Sequence, residues 1–164
     1  MRSWALVLVA VACGRASDDR DKLQDQPPPK QVDVPSGLAI AVDVDGAARA
    51  PITSDQLRAT KPDFADAERR AWLVATLVAD ASAPGTTIEA SAPTGVSIKF
   101  ARPGPEGHEP VLFLDRRSQV IVEAVDPKDP FPRFHGQGAR LHRPPEQLPR
   151  VQAVTKLAIT RPAR

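Results

Sequence analysis

A chain of 164 residues with 41% apolar side chains can build one domain with a modest core and leaves little room for two. Its 22 Lys and Arg against 20 Asp and Glu give a formal charge of +2, with the arginines scattered rather than gathered into a patch, so the electrostatic footprint of nucleic-acid binding is lacking. With no Tyr, two Trp and five Phe there is little aromatic surface for stacking bases or sugars, and a single cysteine excludes an intrachain disulfide.

Met1 to Cys13 reads as a bacterial export signal. Arg2 supplies the positive start, and residues 4–12 form an apolar core of about nine residues, within the range of a signal peptide and far short of a membrane span. Small residues at Ala10 and Ala12 suit cleavage after residue 12, which would leave Cys13 as the mature N-terminus. The run Ala10-Val11-Ala12-Cys13-Gly14 resembles the lipobox of bacterial lipoproteins, with Ala10 standing where that motif usually has Leu. The resemblance implies a diacylglycerol group on the Cys13 sulfur, a membrane as partner through that anchor, and a place in the cell envelope facing the periplasm or exterior. Several acyl chains are needed for this, because one alone gives only marginal binding. Plain secretion and an uncleaved anchor are the alternatives.

Residues 1–12 are thus a signal peptide, residues 13–35 the lipidation site with a flexible linker, and residues 36–164 a globular domain. The linker is charged and proline-rich, including Pro27-Pro28-Pro29, and cannot bury enough apolar area to offset its ordering entropy. Residues 38–45 alternate branched and small or acidic side chains, the period of a strand buried on one face, and Asp45-Gly46 offers a turn into a short edge strand over residues 49–52. Thr53 and Gln56 have the spacing of a capping box for a short helix through Leu57 and Arg58. Apolar residues at three- and four-residue intervals from Ala67 to Ala81 predict the main helix over residues 66–82, stopped by Pro84-Gly85, although Ala71-Trp72-Leu73-Val74 could equally end a strand.

Beyond Gly85 the pattern becomes strand-like. Residues 86–91 and 96–100 should pair as a hairpin around Pro93-Thr94-Gly95. Residues 111–114 suit a strand buried on both faces, followed by another over 120–125 and a last one over 151–160. Residues 126–149 form a long proline-rich connection. The fold class is therefore α+β, a strand-rich single domain with one main helix and a short one, on a mixed or antiparallel sheet.

Few constellations could carry chemistry. Asp43 and Asp45 are paired carboxylates that could hold a cation, though a solvated strand face accounts for them as well. His108, His135 and His142 match no zinc spacing. None of Ser82, Ser91, Ser97 or Ser118 sits in a Gly-x-Ser-x-Gly elbow, and Gly136-Gln137-Gly138 lacks the third glycine and following helix of a phosphate loop. Arg116, Arg117, Arg140, His142 and Arg143 would make an anion site if their loops met. Trp72 suits core packing better than a cofactor clamp.

The order of elements from Leu38 to Thr160 is similar to short exported forms of the sulfite-oxidase-type molybdopterin-binding domain. The resemblance rests on the opening strand with residues 52–57, the segment 71–78, the strand 96–100 and the close at 151–159. It implies a pterin cofactor and a molybdenum-binding cysteine thiolate before the position of Trp72, but residues 60–71 contain no cysteine. No catalytic, metal or cofactor residue is therefore assigned, and no cofactor is expected. The functional expectation is a non-catalytic binding or accessory protein of the envelope, with a protein partner there; the alternative is a pterin-binding redox subunit.

Overall fold

The computed structural model describes residues 33–66, 69–114, 118–131 and 149–163. Cys13, His135, His142, Gly136, Gly138 and the arginines at 116, 117, 140 and 143 lie outside them. Among the described residues the fold is strand-rich, with two five-stranded sheets, one mixed and one antiparallel, and two short α-helices.

The mixed sheet is founded on a hairpin. Strand β1 (Ala39–Val44) turns Ile40, Val42 and Val44 into the core and Ala39, Ala41 and Asp43 outward. Asp45 and Gly46 both take positive φ, 49° and 81°, the backbone of a two-residue hairpin turn whose twist matches its strands. Strand β2 (Ala47–Thr53) returns antiparallel, with a bulge: Ile40 faces Ile52 and Val42 faces Arg49, so Ala50 and Pro51 together oppose Ala41. Thr53 then caps helix α1 (Ser54–Ala59), accepting from the Gln56 backbone N–H at 3.2 Å. The second half of a capping box does not form, because the Gln56 amide reaches across and donates to the Leu77 carbonyl at 2.8 Å. Ser54, nearly buried, donates to the Pro35 carbonyl at 2.6 Å and accepts from Leu38 N–H at 2.8 Å, which fixes the start of the described chain against α1.

The expected main helix over 66–82 is replaced by several short elements. Residues Phe64–Ala65 form β3, Arg70–Leu73 form β4, Val74–Leu77 make a single turn of helix, α2, and Ala79–Ala81 a 3-10 turn. The three-and-four spacing was real, but Ala71 and Trp72 are buried on opposite sides of an extended strand, paired with Phe113 and Leu112. Pairing of residues 71–73 with a neighbouring strand at 111–113 wins here over the helical spacing, and the β-branched Val74, Thr76 and Val78 lower the preference for continuing the helix beyond one turn. The carboxylate of Asp63 holds the change of direction, accepting from Leu73 N–H at 2.8 Å and from the Thr76 hydroxyl at 3.0 Å. Trp72 packs into the core and donates its indole N–H to the Thr60 carbonyl at 2.9 Å.

Strands β5 (Thr86–Ser91) and β6 (Ser97–Arg102) form the expected hairpin and extend it to Arg102. Strands β7 (Glu109–Leu114) and β8 (Val120–Val125) also pair antiparallel, with residues 110–112 and 120–122 buried. The expected last strand is two strands. Residues Arg150–Gln152 form β9 beside β8, and Lys156–Thr160 form β10, parallel to β1 and antiparallel to β5. The chain changes sheet at Ala153, which takes φ 55°. Its neighbours join both sheets: Val154 N–H donates to Val120 and Thr155 N–H to Ser91, each at 3.0 Å. Apolar residues on both sides of this crossing hid it, because Val151, Val154 and Leu157 all enter one core.

The orders are β2-β1-β10-β5-β6 and β3-β4-β7-β8-β9, and the inner faces of both sheets contribute to that core.

Two substitutions test this arrangement by denaturant unfolding. Trp72→Phe should cost about 1–3 kcal/mol, from lost packing and a Thr60 carbonyl left without its donor. Ala153→Gly should be neutral or stabilising by up to about 1 kcal/mol, whereas Ala153→Val should destabilise by more than about 1 kcal/mol, because a left-handed backbone suits glycine and opposes β-branching.

Candidate functional site

The end of β10 meets the β1–β2 turn at an open cleft of about 470 Å³, lined by Asp45, Ala83, Arg161, Pro162 and Ala163. Two charges line it, and a third, Asp80, stands behind Arg161. Asp45 sits at the hairpin turn, Asp80 in the 3-10 turn after α2, and Arg161 directly after β10. Asp45 accepts twice from the same residue: from the Arg161 backbone N–H at 3.0 Å through Oδ1, and from its Nε at 2.7 Å through Oδ2. The guanidinium also donates through Nη1 to Asp80 at 3.3 Å.

These contacts favour the charged forms that both groups already hold at neutrality. The Arg161 backbone N–H, followed by its side chain, holds the Asp45 carboxyl below its ordinary value. The Asp45 carboxylate in turn pushes Arg161 up. A carboxylate stabilised as the anion and a guanidinium that keeps its proton make a charge-paired clamp. Neither is poised to exchange a proton near neutrality, which general acid–base catalysis requires.

Asp43 and Asp45, paired on paper, have separate partners. Asp43 lies on the outer face of β1 and pairs with Lys156 Nζ at 2.5 Å, while Asp45 belongs to Arg161. Each already has a cation of its own from the chain. Among the described residues no group of three or more His, Cys, Asp or Glu side chains converges on a point. His108 lies on the loop after β6, its Nδ1 2.7 Å from the Pro105 carbonyl. Ser91 donates to the Ser97 Oγ at 3.3 Å, and Ser97 donates to Glu89 on the same outer surface of the β5–β6 hairpin.

A second grouping lies on the outer face of the antiparallel sheet. Ala71, Val111 and Val125 form a small buried cluster there, with Phe64, Leu73, Phe113 and Phe131 packed against it. The Arg69 guanidinium lies 4.4 Å from the centre of the Phe131 ring while donating through Nε and Nη2 to Asp66 Oδ2, and Arg150 lies 5.6 Å from that of Phe113. Three of the five phenylalanines therefore serve this face rather than the main core.

Sequence reasoning missed the Asp45–Asp80–Arg161 clamp. Asp45 was visible as a turn residue, but its partner lies 116 residues away and carries no motif. The cysteine, the anion-site arginines and two of the three histidines singled out from the sequence lie outside the described residues. No helix among the described residues is long and apolar enough to cross a membrane.

Comparison with known proteins finds no matching family model, no matching curated protein and no matching solved structure.

The clamp predicts an acid-side effect. A carboxyl whose pKa is lowered in the folded state adds stability above its ordinary value of 3.8 and loses it as pH falls through the lower folded value. Asp45→Asn should therefore flatten the fall in melting temperature on the acid side of that value and leave its pH dependence near neutrality unchanged, as followed by thermal unfolding across a pH series.

Proposed function

We propose that the chain is an exported, lipid-anchored protein of the bacterial cell envelope, acting as a non-catalytic binding or accessory module. The observation that carries this reading is the sequence Ala10-Val11-Ala12-Cys13-Gly14 at the end of a short apolar segment that starts with Arg2. Cys13 is the only cysteine, so the thiol is reserved for the anchor and unavailable as a nucleophile or soft metal ligand elsewhere in the chain.

The domain supports the second half of the reading in its own way. At the cleft by Asp45 the charged groups satisfy one another and hold three chain segments together, a role in positioning structure rather than in turning over a substrate. An accessory protein of this kind acts through its surface. Its anchor supplies the membrane, and its partner is a protein of the same envelope.

The experiment is expression of the full chain in a bacterial host, with membrane fractionation and mass spectrometry of the N-terminal peptide. The wild type should pellet with membranes and carry acyl mass on Cys13. Cys13→Ser should lose that mass and leave the lipid-anchored fraction while its domain unfolds at the same temperature. An unmodified mature N-terminus would overturn lipidation. Pterin fluorescence or molybdenum at close to one per chain in the purified protein would overturn the accessory reading in favour of a redox subunit.

A further inference from the structure

We draw no further inference here: the strongest candidate, the apolar outer face of the antiparallel sheet around Phe64, Leu73, Phe113 and Phe131, carries nothing because nothing among the described residues shows what covers it.

Discussion

Trp72, Leu112, Val122 and Val151 from one sheet and Ile40, Val42, Ile88, Leu157 and Ile159 from the other are buried in a single cluster, and the remaining features of the fold depend on it. A chain whose only cysteine is Cys13 has no internal disulfide to brace its two sheets. Fully burying one aliphatic or aromatic side chain contributes roughly 1.5–3 kcal/mol, whereas an exposed ion pair adds about 0–1 kcal/mol. The weight of stabilisation therefore lies inside. The surface pairs, such as Arg58 with Asp55, decide little of the total. The backbone crossing at Val154 and Thr155 ties the two sheets to each other, so that burial occurs in one arrangement.

That priority explains which parts of the fold were legible. Strands with strict alternation, β1, β5 and β6, can be read because one face is wet and the other is dry. The buried pair β7 and β8 was also legible, as short apolar runs bounded by turns. The segment around Trp72 was legible only in part: a strand ending near Leu73 stood as an alternative to the helix, and the strand is what forms. A strand, a helical turn and a 3-10 turn in succession placed Val74, Leu77 and Ala81 in the core at the three- and four-residue intervals that a single helix would also have produced. Periodicity reports which residues are buried, and only long-range pairing with β7 reports how. The split of the last strand was hidden similarly, since the bend at Ala153 rests on a backbone angle that alanine does not advertise.

The candidate site divides along the same line. A signal sequence is a linear pattern, so its apolar length and small residues can be read without any fold. The Asp45–Asp80–Arg161 clamp depends on three segments brought together from distant parts of the chain, and no local pattern announces it. In the proposed function, address and anchor are written in consecutive residues, while whatever the domain recognises is written in its tertiary surface.

The bulge in β2 has a bearing on how such chains would coexist. An open sheet edge is a template on which another chain can add a strand, and proteins held together on a surface meet each other often. Here β2, at one edge of the mixed sheet, is distorted where Ala50 and Pro51 oppose Ala41, and Pro51 has no N–H to offer a newcomer. The edge strands of the other sheet, β3 and β9, span only two and three residues. At the far edge of the mixed sheet β6 carries Lys99, and Pro103 follows its last residue. Three of the four edges therefore offer few consecutive hydrogen bonds to an added strand, and the fourth, the six-residue β6, carries a charge and is followed by a proline.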